Sequence, residues 1–305
     1  MKIASIDIGT NSFILLIIEF SDGKIEILEQ EFDIPRLGEN LAKSQIVSDD
    51  ALNRAIVSLR NFKQKIALYN PDIVLPVSTA VLRQAKNGDE IRQLLSAELG
   101  YKIKILTGEE ESYLSFLGAT FDNLKDNEIV TTIDIGGGST ELLIGSNTHI
   151  FDKISFPIGA SKLQEIFFPD FNYSETNINN AKDFLLTTFN SIDKYNSSKI
   201  IGIGGTITTL GFILSRSKIY DANIIDKIII DYETNLALFK ELCQYTPLEL
   251  SHQFNINLKR AEILISGQLI LLTLQNLLTK KSIYISSKGL RFGVIIDYLK
   301  NSNLL

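Results

Sequence analysis

A twelve-residue segment near the start of the chain returns, without a gap, near its middle. Ile6-Asp7-Ile8-Gly9-Thr10-Asn11-Ser12-Phe13-Ile14-Leu15-Leu16-Ile17 sets against Ile133-Asp134-Ile135-Gly136-Gly137-Gly138-Ser139-Thr140-Glu141-Leu142-Leu143-Ile144, and eight of the twelve pairs are identical. Unrelated apolar strands seldom keep an aspartate, a glycine and a serine in step, so the chain reads as a duplication. Each copy is an apolar strand, a glycine-containing turn with small polar residues, and a second apolar strand, which is a β-hairpin with a polar tip. Such a tip leaves backbone N–H groups open to a phosphate, because no side chain blocks close approach. Asp7 and Asp134, each ending a first strand, can hold a hydrated divalent cation against that phosphate. Two tips facing across a cleft would grip one phosphate chain from both sides.

Around the hairpins, strands and helices alternate, which predicts α/β layers. Helical periodicity runs over residues 50–69, 90–99, 112–119, 178–195, 235–245, 259–278 and 290–300; buried strands are expected at 73–77, 103–106, 200–203 and 283–285. Gly204, Gly205 and Thr206 read as a turn after one of these strands. The polar stretch 122–128 is the expected domain boundary. It divides the chain into one domain of residues 1–123 plus 291–305 and a second of 124–290. At 305 residues the chain is long enough for two cores.

The rest of the composition removes alternatives. A single cysteine, Cys243, excludes an internal disulfide framework, and two histidines, His149 and His252, do not make a zinc cage. The net charge of −6 argues against a nucleic-acid partner. Asp7 interrupts the apolar start, so no secretory signal is read and cytoplasm is expected. Residues 264–278 are apolar but contain Ser266, Gln268, Thr273 and Gln275, and fall short of the ~20 apolar residues a membrane span needs. They are expected to form a buried helix, with no membrane partner. From position alone, Glu109, Glu110 and Glu111 suit a solvated helix start, where acids favour the macrodipole.

Several further segments carry a family resemblance. Pro35-Arg36-Leu37-Gly38-Glu39-Asn40-Leu41, Ser78-Thr79-Ala80-Val81-Leu82-Arg83-Gln84-Ala85-Lys86-Asn87 and Thr107-Gly108-Glu109-Glu110-Glu111 follow one another in order. Phe156-Pro157-Ile158-Gly159-Ala160, the Gly204-Gly205-Thr206 turn, Arg260-Ala261-Glu262-Ile263 and Ser287-Lys288-Gly289-Leu290-Arg291 come after them. Together with the hairpins they resemble the exopolyphosphatase/guanosine pentaphosphate phosphatase (Ppx/GppA) family over essentially the whole chain, in its short two-domain form.

That resemblance implies a two-lobed actin-like ATPase (ribonuclease H-like) duplication with mixed sheets and a central cleft, the last helix packing back on the first lobe. It implies a hydrolase of the terminal phosphoanhydride bonds of inorganic polyphosphate or of pppGpp, with Mg²⁺ or Mn²⁺, and is compatible with a homodimer. Glu111 then orients and deprotonates the attacking water, with Glu110 a second candidate and Glu109 facing solvent. Asp7 and Asp134, with Glu141, face the metal. Gly9, Thr10, Asn11, Ser12, Gly136, Gly137, Gly138, Ser139, Thr140, Gly204, Gly205 and Thr206 contact phosphate, and Arg83, with Lys86 beside it, meets a phosphate chain. Two positions depart from the family pattern. Phe13-Ile14 stands where an apolar residue followed by Arg or His is frequent, and Arg291-Phe292-Gly293 stands where Arg-Glu-Gly is common. These departures leave room for a catalytically weak nucleotide-binding sensor of the same fold, and the superfold also includes small-molecule kinases.

Overall fold

Strand β1 (Lys2–Ile8) is buried along most of its length, the pattern of a central strand covered on both faces. It pairs antiparallel with β2 (Phe13–Ser21), which pairs antiparallel with β3 (Lys24–Asp33). The structure, a computed structural model, describes residues 1–121, 128–146 and 149–305. The stretch 122–127, with the expected domain break between residues 123 and 124, lies outside the described residues.

The chain divides into two compact units, Met1–Gly118 with Lys288–Leu305, and Ala119–Ser287. After β3 the first unit continues with α1 (Leu41–Ser44), α2 (Asp49–Tyr69), β4 (Ile73–Ser78), α3 (Ala80–Gln84), α4 (Gly88–Leu99), β5 (Lys104–Ile105) and α5 (Gly108–Thr120). Helix α2 begins where Ser48 accepts a hydrogen bond from the Ala51 N–H at 3.3 Å, with Asp49 and Asp50 in the first turn. It buries Ala51, Ala55, Leu59, Phe62 and Ile66 against Ala4, Ile6 and Ile8 of β1 and Leu15 and Ile17 of β2.

The second unit runs β6 (Val130–Ile135), β7 (Thr140–Gly145), β8 (Ile150–Phe156), α6 (Ala160–Phe167), α7 (Glu175–Thr188), β9 (Lys199–Ile203), α8 (Gly204–Ser215), α9 (Ala222–Ile225), β10 (Ile229–Ile230), α10 (Tyr232–Leu242), α11 (Pro247–Phe254), α12 (Leu258–Leu277) and β11 (Ile283–Ile285). The chain then returns to the first unit as α13 (Leu290–Asn301).

The duplication extends far beyond the repeated twelve residues. The first sheet has the order β3-β2-β1-β4-β5, and the second reads β8-β7-β6-β9-β11 in the same sense, with β10 added at its edge. In both, an antiparallel three-stranded meander is followed by parallel strands. Helix α12 is buried along most of its length in the second unit, as expected of the apolar run. Polar side chains of the helix find partners within that core: Ser266 donates to Gln164 Oε1 at 2.6 Å and Gln268 to Asn235 Oδ1 at 2.9 Å, although Gln268 Oε1 itself is buried without a partner. Among the described residues, no helix is long and apolar enough to cross a membrane.

Two expectations need correction. The helix expected over 178–195 stops at Thr188, and Asp193–Tyr195 forms only a 3-10 turn. The apolar spacing misled because Phe189, Ile192 and Tyr195 are all buried although the α-helix has ended. The Gly204-Gly205-Thr206 segment is no simple turn but the first turn of α8.

Candidate active site

The two hairpin tips are built alike. The Gly9 N–H donates to the Ser12 carbonyl at 3.0 Å, and the Gly136 N–H donates to the Ser139 carbonyl at 3.0 Å. Each tip is braced from behind. The N–H groups of Arg36 and Gly38 donate to the carbonyls of Asn11 and Thr10, at 3.0 and 2.8 Å. At the second tip the N–H groups of Ala160 and Lys162, at the start of α6, donate to the carbonyls of Gly136 and Gly137, at 2.8 and 3.1 Å. Gly159 is the residue that permits this approach, since a Cβ there would lie 2.4 Å from the Gly136 oxygen. Asn11, Gly137 and Gly138 stay exposed. Thr140 does not join them: its buried hydroxyl donates to the Ile158 carbonyl at 2.7 Å, which leaves it unavailable to a phosphate.

In the first unit, α5 opens with a reciprocal pair. The Glu110 N–H donates to Thr107 Oγ1 at 3.1 Å, and the Thr107 N–H donates to Glu110 Oε2 at 2.8 Å, which is the geometry of a capping box. Lys104 Nζ lies 2.7 Å from the other Glu110 oxygen and, with the Thr107 N–H, holds the carboxyl below its usual range. Both oxygens of Glu110 are therefore engaged, one in starting the helix and the other with Lys104. Glu109 is exposed.

Glu111 follows within the same first turn, so the helix begins earlier than the expected residue 112. Its Oε2 accepts from Arg83 Nη1 at 2.9 Å, and the same nitrogen donates to the Leu106 carbonyl at 2.6 Å. Arg83 thus holds Glu111 from a fixed position at the end of α3, while 30% of each side chain remains open to solvent. Lys86 is exposed, beyond this pair.

Asp7 completes the first group. Its Oδ1 is buried without a hydrogen-bond partner. Burial pushes its carboxyl up to about 7; the Arg291 guanidinium pulls against that rise and the charge of Glu111 adds to it. The fold therefore brings Glu111 and Arg291 each within electrostatic reach of Asp7. The Arg291 carbonyl accepts from the buried Ser5 hydroxyl at 2.8 Å, which fixes the start of α13 against β1. Arg291 was not among the expected site residues, because nothing local in the sequence ties it to β1.

Both departures from the family pattern have a visible setting. Ile14 stands directly across the strand pair from Asp7 and has Phe32 on its other side. Phe292 is buried, with Lys288 5.2 Å and Arg291 5.3 Å from its ring centre. An aromatic face meets these cations where an acid is common.

In the second unit, Asp134 on β6 and Glu141 on β7 are direct cross-strand partners, so both carboxylates stand on one face. Glu141 Oε1 also accepts from the Ser155 hydroxyl at 2.8 Å. Gly204 lies against Asp134: a Cβ on it would fall 2.4 Å from Asp134 Oδ1, and its φ of +85° already favours glycine. Gly205 makes room for Arg260, whose Nη1 would lie 1.7 Å from a Cβ there. Arg260 belongs with this group, although the motif it sits in was not read as a site. Thr206 is buried, with its side chain facing Gly267.

The donor set fits a hydrated hard cation better than a closed cage. Among the described residues, no three carboxylate, imidazole or thiolate groups cluster at metal spacing. A buried Asp7 oxygen without a hydrogen-bond partner, and the Asp134 and Glu141 carboxylates on one face, are oxygen donors of the kind a divalent cation takes. Mg²⁺ suits such sites because it keeps several waters and needs only one or two carboxylates.

The model of the Ppx/GppA phosphatase family matches residues 16–302. A bifunctional 3-dehydroquinate synthase/phosphatase of Fusobacterium nucleatum is 30% identical over 98% of this chain, which covers 46% of that protein. A guanosine-5'-triphosphate,3'-diphosphate pyrophosphatase of Pseudoalteromonas atlantica is 28% identical over 98% of this chain, covering 58% of the relative. The chain thus spans about half the length of these curated relatives. The crystal structure of the Aquifex aeolicus Ppx/GppA family member superposes with a TM-score of 0.90 at 30% identity, covering 99% of both chains.

Proposed function

The chain belongs to the Ppx/GppA phosphatase family, and from that premise we propose that it hydrolyses terminal phosphoanhydride bonds of inorganic polyphosphate, of pppGpp, or of both. The observation that carries the proposal is the group in the first unit, where Glu111 is held by Arg83 at 2.9 Å and lies within electrostatic reach of Asp7, on which Arg291 also acts.

Phosphoryl transfer to water needs an aligned water, positive charge on the transferred group, and a stabilised leaving phosphate. Glu111 accepts the proton of the attacking water as the O–P bond forms, and its carboxylate also aligns that water. Arg83 keeps the carboxylate from rotating away. Arg291 and the free N–H groups of the hairpin tips supply hydrogen bonds to phosphoryl oxygens as charge builds on them. Asp7 in the first unit, and Asp134 with Glu141 in the second, are the carboxylates that would hold Mg²⁺ or Mn²⁺. When bound, the ion would neutralise phosphate charge. Glu110 contributes by holding the helix start, not by touching the water. A cytoplasmic location and a homodimer are part of the same reading, checked by cell fractionation and sedimentation.

The test is phosphate release by purified protein from long-chain polyphosphate, pppGpp and ATP, each with Mg²⁺ and with excess EDTA. Metal-dependent release from polyphosphate or pppGpp, well above that from ATP, is the expected outcome. Tight binding of pppGpp without any release would favour a sensor instead, the reading to which the apolar Ile14 opposite Asp7 lends weight.

A further inference from the structure

We propose that Arg54, on α2, is a positioning residue for the first hairpin tip: it fixes the segment 35–39 that braces residues 9–12, and through that segment it aims the backbone donors of the tip. The inference rests on the hydrolase reading above and adds to it a residue that none of the sequence motifs marks.

The two tips are braced by different kinds of backbone. Behind the second, the N–H groups of Ala160 and Lys162 belong to the first turn of α6, where they have no partner inside the helix and its regular geometry aims them. Behind the first, the N–H groups of Arg36 and Gly38 belong to a stretch that is neither helix nor strand. Arg36 stands in the left-handed region at φ +53°, and Asn40 at φ +59°. Such backbone persists only where its surroundings hold it. Gly38 lies so close to the tip that a Cβ on it would fall 2.3 Å from Thr10 Cγ2. A shift of the brace therefore moves the tip.

Arg54 supplies the hold. Its Nε donates to the Pro35 carbonyl at 2.7 Å, and its Nη2 donates to Glu39 Oε2 at 2.6 Å and reaches the Arg36 carbonyl at 3.4 Å. The Pro35 carbonyl and the Arg36 N–H are the two ends of one planar peptide unit, and that N–H donates to the Asn11 carbonyl. Arg54, this peptide and Asn11 thus form one hydrogen-bonded line. The Asn11 carbonyl in turn shares a peptide plane with the Ser12 N–H. Holding the carbonyl from behind points that N–H the opposite way, out of the tip. Buried Leu37 sets the depth of the brace against Ala51 and Ala55, but apolar contact has no direction, and only the rigid guanidinium fork fixes the orientation. The Arg54 and Glu39 side chains are 41% and 44% exposed, so their pair adds little to stability. Positioning and folding can therefore be separated.

The test compares Arg54→Met with Arg60→Met. Arg60 lies on the same helix and makes a two-pronged pair with Glu98, at 2.8 and 3.2 Å, that involves no residue of the tip or its brace. Hydrogen exchange of the Arg36 and Gly38 amides, followed by NMR in the unliganded protein, should quicken by about tenfold or more in Arg54→Met and stay unchanged in Arg60→Met. Phosphate release from whichever of polyphosphate and pppGpp is cleaved faster gives the second reading. In Arg54→Met, kcat should fall by roughly 10–100-fold while KM moves less than about twofold, because donors aimed at developing charge act in the transition state. Arg60→Met should keep both constants. Arg54→Lys keeps the charge without the fork, so it should retain the melting temperature and still lose most of the turnover. Unchanged exchange in Arg54→Met would overturn the proposal, as would equal losses from the two Met variants, a loss confined to KM, or full turnover in Arg54→Lys. An unmodified chain that releases no phosphate would sink the hydrolase reading alone, since exchange would still decide whether Arg54 holds the tip.

Discussion

Asp7, the last residue but one of β1, has a buried oxygen, an apolar residue across the strand and a second carboxylate, Glu111, in electrostatic range. In the metal-free protein its carboxyl sits at about 7, above the ~3.9 of an unfolded chain. Between those values the folded state holds a proton that the unfolded state has lost, so this group makes stability fall as pH rises from about 4 to about 7. Above that range the whole penalty is present. Asp7→Asn should therefore raise the stability of the metal-free protein at pH 8 by about 1–3 kcal/mol, flatten its dependence on pH, and abolish activity. Thermal melts at pH 5 and pH 8 in EDTA check the sign. A variant less stable at pH 8 than its parent would mean that Arg291 outweighs burial. Little of this was legible in advance. The sequence marks Asp7 through the repeat, but its closeness to Arg291 arises only because Ser5 ties β1 to the start of α13.

At the scale of the element, the hairpins were legible because tight tips need glycine, and the glycines recur in step with the aspartates. Helix starts were less so. Gly204-Gly205 has turn composition, yet Gly204 at φ +85° opens α8 because Asp134 and Arg260 leave no room for a side chain at either position. The acids of α5 were ambiguous for a related reason. One run of three supplies a cap, a base candidate and a solvated residue, and only the bonds to Thr107, Lys104 and Arg83 tell them apart. Glu110→Gln should cost about 1 kcal/mol of stability through the weakened capping box and the lost ion pair, and lower turnover only severalfold. Loss of activity as complete as for Glu111→Gln would make Glu110 part of the chemistry. Helices α5 and α13 meet backbone to backbone: a Cβ on Gly293 would lie 1.7 Å from the Leu114 oxygen, and one on Gly118 2.1 Å from the Gly289 oxygen. Gly293→Ala should therefore cost about 3 kcal/mol, seen as a lower melting temperature, with activity falling too because Arg291 sits two residues away. An unchanged melting temperature would mean that α13 can shift without consequence.

At the scale of the whole molecule, the repeated strand order of the two sheets explains why a twelve-residue match foretold an entire architecture. A meander followed by parallel strands was copied as a unit, and each copy kept the aspartate at the end of its first strand. The chain as a whole is acidic, so the polyanionic substrates proposed for it would have to be gathered by local cations. Substrate affinity should accordingly fall as salt rises, because contacts of exposed cations are screened over a Debye length of ~8 Å at physiological ionic strength; a KM for polyphosphate that is flat between low and high salt would contradict this. The central claim, that Glu111 activates water for phosphoanhydride cleavage, is tested most directly by phosphate release from Glu111→Gln beside Glu109→Gln. The amide keeps the shape and hydrogen-bonding reach of Glu111 but removes its basicity, so turnover should drop by about 10²–10⁴-fold while substrate still binds. Glu109→Gln removes the same charge from an exposed position two residues earlier and should leave turnover nearly unchanged. Equal, small losses from the two substitutions would contradict the account and leave Glu111 as one acid in a charged helix start.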